Sequence, residues 1–454
     1  MNLTDTVRSA RARSGFGVRG AWHQLLAHIR TPLHRDGYAL ALNAAFTAVT
    51  GLVYWILAAR SYSAHSVGVN SALISSMMFV AGIACLNLPN VLVRFLPHSG
   101  RRTQRRVVGS YCVSAVVGLC AAAVFIVGVT AWAPRLSFLR SDHGLQAWFV
   151  FSTIAWCLFS IQDSVLTALG RAVWVPIENA VFSVVKLGLL AAVATSMRAY
   201  GIFISWTLAM LVSVIGVNLI IFARLIPRRT HDVQARVISM RDRAFVRYFA
   251  ADYWCSVAWL SAANLMPLIV TAVAGATTNA YWALAYAVML PLYVFAQSIG
   301  TSLILHGSTD PAELPALTRK AALQGARVLV PVVVLLLIIA PYLLALFGPT
   351  YAEHSTAVLR LLALGAIPNF VLALAVSVAR VQRRLRRAVV AITVEAAVSL
   401  GLATPLVHAA GAAGAGMALL AAQSLVAAVL LLTARRWLIA PEPEAVSQEL
   451  EGVA

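Results

Sequence analysis

Six ionisable side chains lie inside otherwise apolar stretches of this 454-residue chain, where a charge is costly unless it meets a partner, water or a ligand. They are Arg94, Asp163, Glu178, Lys186, Asp252 and Glu395. Carboxylates in such places carry protons or bind cations, and lysine or arginine holds anionic groups. These six residues are therefore the first candidates for a functional site.

Asp163 and Glu178 lie on either side of a predicted tight turn at Gly170–Arg171. At the rise of a helix, both residues are about 10–12 Å from the turn, at matching depth on two neighbouring helices. Two carboxylates this close repel each other unless a cation or a proton intervenes. Arg94 lies at roughly the same depth, and Lys186 is deeper, about 20 Å into its own span.

Two interpretations of this group stay open. In one, the charges form a salt-bridge cluster that fixes helix packing. In the other, Arg94 or Lys186 contacts an anionic headgroup while the carboxylates set the charge or bind a coupling ion. Asp252 is just inside its span and could reach the membrane interface, whereas Glu395 lies about 10 Å into its span. Glu395 is therefore the sharper candidate for coupling to protons.

Amide side chains form a second candidate group, because amides hydrogen-bond sugar hydroxyls as readily as they bind neighbouring helices. They fall in the first, second, seventh and eighth predicted spans, which line a central cleft if the two halves of the chain are repeats. The residues are Asn43, Asn87, Asn90, Asn264 and Gln297.

The elements that carry these residues are almost all membrane spans. The chain is 61% hydrophobic and 11% charged, with a mean hydropathy of +0.83, far from the composition of a soluble domain. Stretches of about 20 apolar residues predict an all-α integral membrane protein with twelve transmembrane helices. The predicted spans are 38–59, 70–95, 107–132, 146–169, 173–197, 201–223, 248–273, 277–304, 326–347, 357–379, 388–408 and 412–433.

The segment 224–247 carries seven arginines and divides these spans six and six. We therefore expect an N-lobe at 37–223 and a C-lobe at 248–435, packed around a central cavity as in transporters built from repeats. Residues 1–36 lack the features of a signal peptide and are predicted to be a basic arm with an interfacial helix near 20–29. Residues 436–454 form the predicted tail.

The basic residues orient the chain. With the amino terminus inside, 29 of the 35 lysines and arginines fall on the cytoplasmic side and five on the opposite side. This asymmetry predicts a multi-pass protein of the bacterial cytoplasmic membrane with both termini in the cytoplasm. It also explains the net charge of +19 through contacts with anionic lipids, without a nucleic-acid partner.

The sequence contains no catalytic or cofactor motif of the GxSxG, HExxH, Walker A or GxGxxG type. We therefore expect no enzyme activity, no cofactor and no metal. The five cysteines are unpaired in number, lie in apolar stretches, and are interpreted as small buried side chains.

Two segments resemble a known family. They resemble the polysaccharide-exporter branch of the multidrug/oligosaccharidyl-lipid/polysaccharide (MOP) flippase superfamily, which includes O-antigen unit flippases. The first segment is the loop and start of the second span, SAHSVGVNSALISS, followed by the end of that span, NVLVRFLPHSG. The second is LLALFGPTYAEHSTAVLRLLALGAIP at 343–368. The resemblance covers nearly the whole chain. It implies alternating-access movement of an undecaprenyl-diphosphate-linked glycan, with glycan-assembly enzymes as further partners, and makes Arg94 the preferred diphosphate contact. The lipid II flippases of the superfamily carry more arginines around their first span, which here has none.

Three alternatives remain. A multidrug or cation exporter of the same fold is expected to have a cavity rich in carboxylates and aromatic residues. A major-facilitator transporter also has twelve spans, but the loop between its second and third spans usually carries an acidic residue, and here that loop reads HSGRRTQRR. The third alternative is a non-transporting scaffold in an envelope-assembly complex.

Overall fold

The computed structural model describes residues 32–229, 243–309 and 311–434. The predicted interfacial helix, much of the 224–247 segment and the predicted tail lie outside the described residues. The chain divides into two compact units, residues 1–50 and 51–454. The described part of the first unit, residues 32–50, is helical throughout. All contacts discussed below lie within the second unit.

Long helices joined by short turns make up the described chain. In order they are α1 (Pro32–Ser61), α2 (Ala64–Ala84), the short α3 (Leu88–Phe95), α4 (Thr103–Trp132), α5 (His143–Ala168), α6 (Trp174–Val193), α7 (Gly201–Ile220), α8 (Arg243–Ala274), α9 (Ala276–Thr309), α10 (Leu314–Ala345), α11 (Pro349–Val381) and α12 (Leu385–Leu432).

Ten helices of the described residues are long and apolar enough to cross a membrane. The expectation of an all-α, multi-pass membrane protein is therefore confirmed. The count of twelve stays a prediction, since α1 contributes only a shorter apolar stretch, Phe46–Ser61, and α12 covers two predicted spans as one helix. That helix is broken where the sequence predicted a boundary, at Ala410 and Gly411, and Gly411 has a φ of +56°.

The prediction of one continuous second span at 70–95 is wrong. Its helix begins earlier, at Ala64, because the Ser63 hydroxyl accepts the Ser66 N–H at 3.1 Å and caps it. It then breaks after Ala84, since Leu86 and Asn87 have left-handed φ values of +47° and +57°. Pro89 in the first turn of α3 has no N–H to continue the α2 ladder, and it fits the start of a new helix instead.

Helices pack mainly within two halves of the second unit, which we call the N-half (51–229) and the C-half (243–434). The halves meet where α2 packs against α8 and α9. Large apolar side chains on the outer faces of α4 and α10 are exposed, as expected for surfaces that face lipid. Cys112 and Cys120 are on this exposed surface, so the expectation of burial is wrong for them, while Cys85, Cys157 and Cys255 are buried.

Candidate functional site

The carboxyls of Asp163 and Glu178 come together inside the N-half. Gly170, with a φ of +73°, allows the chain to reverse between α5 and α6, and the Arg171 N–H closes the turn on the Leu166 carbonyl at 2.9 Å. This hairpin makes the two carboxyl groups electrostatic neighbours. Their pairing was predicted from the spacing around the turn.

A chain of polar side chains holds the Glu178 carboxyl of this pair. Glu178 Oε1 accepts hydrogen bonds from the Gln162 side-chain amide and from the Ser213 hydroxyl, the latter at 3.0 Å. Asn218 donates to Gln162 Oε1 at 2.9 Å. The Tyr111 hydroxyl in turn donates to Asn218 Oδ1 at 2.8 Å. These contacts draw α4, α5, α6 and α7 together around the pair.

Two further oxygens of the pair, Asp163 Oδ1 and Glu178 Oε2, are buried without a hydrogen-bond partner. In the described part of the chain, no lysine or arginine forms an ion pair with either carboxyl. Two facing carboxylates in an apolar interior repel strongly, and a proton or a cation between them removes that repulsion. The arrangement is therefore suited to hold one proton or a small cation.

Lys186 lies apart from the carboxyl pair, in a cage of aromatic rings. It is 5% exposed. Its Nζ lies 3.9 Å from the ring centroid of Trp206, 4.6 Å from that of Tyr54 and 4.9 Å from that of Phe182. The Tyr54 hydroxyl is fixed by bonds to the Ile202 carbonyl at 2.9 Å and to Ser205 at 3.1 Å. Attraction between the ammonium and the ring faces partly compensates for its burial.

The carboxyl pair and the caged lysine occupy one face of α6. Glu178, Phe182 and Lys186 follow each other at intervals of four residues, so the ammonium lies about 12 Å along the helix from the carboxyl. On α7, Trp206 contacts Lys186, and Ser213, two helical turns further along, donates to Glu178. The N-half thus holds negative and positive groups separated by an aromatic ring rather than joined in an ion pair.

Asp252 lies in a different place, at the contact between the halves. Its carboxylate accepts hydrogen bonds from Asn87 at 3.2 Å and Asn90 at 3.0 Å. It also forms an ion pair with Arg380 at 3.4 Å. The structure therefore brings together two predicted sugar-binding amides and a predicted coupling carboxylate as a polar contact between α3 of the N-half and α8 and α11 of the C-half. We call these four residues the inner latch.

Glu395 lies inside the C-half, 5% exposed, on the first segment of α12. No hydrogen bond of the described residues reaches its carboxyl, and its electrostatic neighbours are Tyr286 and Tyr293. The Tyr293 hydroxyl donates to the Leu362 carbonyl of the same half at 3.5 Å. Glu395 is thus buried, as predicted, and lies on the helix of the C-half that corresponds to α6 in the order of the spans.

The other predicted residues are dispersed. Arg94 is exposed on α3. Asn264 donates to the Leu260 carbonyl of its own helix at 3.1 Å, and Gln297 is exposed on α9. The side chain of Asn43 lies outside the described residues.

Several participants were missed by the sequence analysis. Gln162 and Ser213 are common in helices, and nothing in a single sequence distinguishes a hydrogen-bonded pair from two lipid-facing polar groups. The aromatic cage had a detectable signal, since Phe182 is one turn from Lys186. The residues Tyr54 and Trp206 had none, because their contact with Lys186 depends on how α1 and α7 pack on α6.

No protein-family model and no curated protein sequence matches the chain. Solved structures do. The lipid II flippase MurJ in an inward closed conformation has a TM-score of 0.69 at 13% identity, covering 87% of each chain. An inward-facing multidrug resistance MATE family transporter of the MOP superfamily has a TM-score of 0.64 at 14% identity, covering 86% of this chain and 94% of that one.

A third similar structure is a MOP superfamily transporter from Pyrococcus furiosus, described as having a binding pocket of reversed polarity. Its TM-score is 0.53 at 14% identity, covering 87% of this chain and 95% of that one. At such identities the likeness shows the fold alone. The chain therefore has the fold of the MOP superfamily transporters, and this fold argues against the major-facilitator alternative.

Proposed function

We propose that the chain is a flippase that moves a lipid-linked oligosaccharide precursor from the inner to the outer leaflet of the bacterial cytoplasmic membrane by alternating access. The observation that carries the proposal is the buried ammonium of Lys186, which is held by ring faces and pairs with no carboxylate among the described residues. A cation of this kind suits the diphosphate of an undecaprenyl-diphosphate glycan.

The energetics favour this role for Lys186. A cation held over aromatic rings gains about 0.5–2 kcal/mol from them, whereas breaking a buried ion pair costs about 3–5 kcal/mol. An entering diphosphate therefore competes with a weak set of contacts. Arg94, exposed on α3 near the basic end of the bundle, is the proposed first contact as the headgroup enters. By the basic end we mean the end that carries Arg101 and Arg106.

The carboxyl pair is the proposed coupling site. Two of its buried oxygens have no hydrogen-bond partner, and a proton or a small cation bound by them relieves the repulsion between Asp163 and Glu178. Glu395 is the proposed counterpart in the C-half. Binding or release of the coupling ion changes the charge at the carboxyl pair, on one side of Phe182. Contact with the headgroup changes the charge around Lys186, on the other side.

Alternating access also needs contacts between the halves that break without great cost. The inner latch supplies such a contact near the basic end. At the other end, the Asn279 amide donates to the Gly68 carbonyl at 2.9 Å and to Ser71 at 2.8 Å. The inner latch and the Asn279 contact are each small sets of polar bonds, and a single bond of this kind is worth about 0.5–3 kcal/mol.

A cation exporter is the second candidate, favoured by the aromatic residues of the cage and by the structural similarity to MATE transporters. The two functions make opposite demands on Lys186. A diphosphate cargo needs its charge, whereas a cationic cargo is repelled by it.

The test uses the full chain in proteoliposomes and follows two cargoes, a fluorescent undecaprenyl-diphosphate oligosaccharide and ethidium. We expect the wild type to exchange the glycan lipid between leaflets. Lys186→Met and Arg94→Ala should each lower the exchange rate by about tenfold or more, corresponding to ~1.4 kcal/mol or more. Lys186→Arg should recover part of the rate. Lys320→Met, at an exposed lysine, is the matched control. Ethidium transport without glycan exchange, or full glycan exchange in both variants, would overturn the proposal.

A further inference from the structure

A cavity lies between the halves at the end of the bundle opposite the inner latch. It has a volume of about 440 Å³, which is within the range of small-molecule sites. One wall belongs to the N-half and includes His65, Arg135 and Phe138. The other belongs to the C-half and includes Thr271, Gly275 and Thr277. Opening this end of the bundle would separate the two walls.

Arg135 crosses from one half to the other. Its Nη1 lies 2.6 Å from the point that a Cβ on Gly275 would occupy, so a side chain there would displace the guanidinium. Gly275 also has a φ of +100°, which L side chains rarely adopt. The close approach of the arginine to the C-half therefore depends on this glycine between α8 and α9.

The charge of the cavity is positive. Arg135 and His65 are its ionisable lining residues, and no lining residue is acidic. Among the described residues, no carboxylate forms an ion pair with Arg135. The acidic residue that follows it most closely in sequence, Asp142, caps α5 by accepting the Leu145 N–H at 3.0 Å. A guanidinium at the mouth of a cavity without a carboxylate partner is suited to bind phosphate oxygens.

We propose that this cavity binds the phosphate groups of an anionic ligand, and that the bound ligand holds the halves together at this end. A ligand that contacts both walls binds the closed arrangement better than the open one and so shifts the population towards closure. The phosphate comes from a phospholipid headgroup or from the diphosphate of a lipid-linked molecule. The site does not depend on the proposed flippase activity, because a chain that transports cations can equally carry it.

Arg140 provides a matched control for Arg135. It is also exposed, lies on the same connection between α4 and α5, and lines a neighbouring cavity together with Thr130, Ser137, Phe138 and Ser141. All of these residues belong to the N-half. An anion at Arg140 therefore has no wall of the C-half to contact.

The first experiment measures the thermal midpoint of the full chain in phosphatidylcholine nanodiscs as inorganic pyrophosphate is added. We expect the midpoint to rise in the wild type and in Arg140→Ala. In Arg135→Ala we expect an apparent affinity weaker by about tenfold or more, as for the loss of a hydrogen bond to a charged group. Arg135→Lys should recover part of this affinity. An affinity that is unchanged in Arg135→Ala would overturn the proposal, and so would no rise in the wild type when phosphatidylglycerol also gives no stabilisation that depends on Arg135.

A parallel arm replaces phosphatidylcholine by phosphatidylglycerol without pyrophosphate. Stabilisation that is lost in Arg135→Ala assigns the ligand to a lipid headgroup. A pyrophosphate effect without this lipid effect assigns it to a diphosphate, and either result supports a phosphate site. If the wild type binds pyrophosphate but does not exchange the glycan lipid, only the proposed cargo is contradicted and the phosphate site stands.

The second experiment measures closure directly. Spin labels at Met197→Cys and Thr350→Cys, both exposed at this end, report the distance between the halves in a chain with Cys112 and Cys120 replaced by serine. Pyrophosphate is expected to increase the population with the shorter distance in Arg140→Ala but not in Arg135→Ala. A shift to longer distances on binding would contradict the linkage to closure.

Discussion

At the scale of single residues, the buried charges of the N-half are kept apart instead of neutralised. An ion pair between Lys186 and Glu178 would satisfy both groups, but about 12 Å of helix separates them. Each instead has its own surroundings, hydrogen bonds for Glu178 and ring faces for Lys186. Keeping a buried charge without its counter-charge is costly, and such costs are concentrated at functional sites.

The carboxyl pair gives a prediction at this scale. Glu178→Gln keeps the size of the side chain and an oxygen that accepts from Ser213, but removes one titratable group. We expect glycan exchange driven by an imposed proton gradient to fall about tenfold or more, equivalent to ~1.4 kcal/mol, and to lose its dependence on the gradient. Rates are measured in proteoliposomes over a range of internal pH.

Glu353→Gln serves as the control for this prediction, because Glu353 is exposed near the start of α11 and lies far from the pair in the sequence. Glu395→Gln tests the corresponding carboxylate of the C-half in the same vesicles. If Glu178→Gln responds to the gradient like the wild type, the carboxyl pair is not the coupling site.

At the scale of elements, α2 is the helix on which the contact between the halves depends. Its first turns approach α9 so closely that a Cβ on Gly68 would lie 1.7 Å from the Ala276 carbonyl oxygen. Just after its last turn, at the left-handed residues Leu86 and Asn87, the chain changes direction, and the side chains of Asn87 and Asn90 hydrogen-bond Asp252 of the C-half. One broken helix thus supplies contacts at both ends.

Gly68→Ala is expected to force the halves apart at the end opposite the latch, because a backbone carbonyl cannot move out of the way as a side chain can. Overpacking of this kind costs about 1–3 kcal/mol, and it should disrupt the bond from Asn279 to the Gly68 carbonyl. The measurement is the thermal midpoint, together with the distance between labels at Met197→Cys and Thr350→Cys.

Gly188→Ala is the matched control, since a Cβ there would meet nothing within 4 Å. Helix propensity alone predicts a small stabilisation, up to about 1 kcal/mol. Equal midpoints and distances for the Gly68→Ala variant and the wild type would show that the close approach of α2 and α9 does not control closure.

At the scale of the whole molecule, the charge asymmetry predicts the orientation in the membrane. Arginines cluster at the basic end, where they would face anionic lipids of the cytoplasmic leaflet, and the opposite end carries five. A fluorescent protein fused after Ala454 is expected to fold and fluoresce in the cytoplasm. The same protein fused after Ala199, between α6 and α7, is expected to remain dark, and the reverse pattern would contradict the orientation.

The sequence by itself determined the class of the molecule. Apolar length alone separates membrane helices from soluble ones, because lipid offers no hydrogen bonds to a chain that is not helical. The spacing around Gly170 was also sufficient to place Asp163 beside Glu178, since a tight turn fixes which residues of its two helices lie at the same depth.

The tertiary structure decided what those residues contact. Lys186 was grouped with Glu178 of the same span and with Asp163 of the neighbouring one, but α1 and α7 pack on its part of α6 and bring the rings of Tyr54 and Trp206 against it. Asn87 and Asp252, assigned to different roles, meet because the chain breaks at Leu86 and Asn87, and the Asn87 side chain then reaches the Asp252 carboxylate. Depth along a helix can be counted from the sequence, whereas these contacts depend on helix rotation and on packing between segments far apart in the chain.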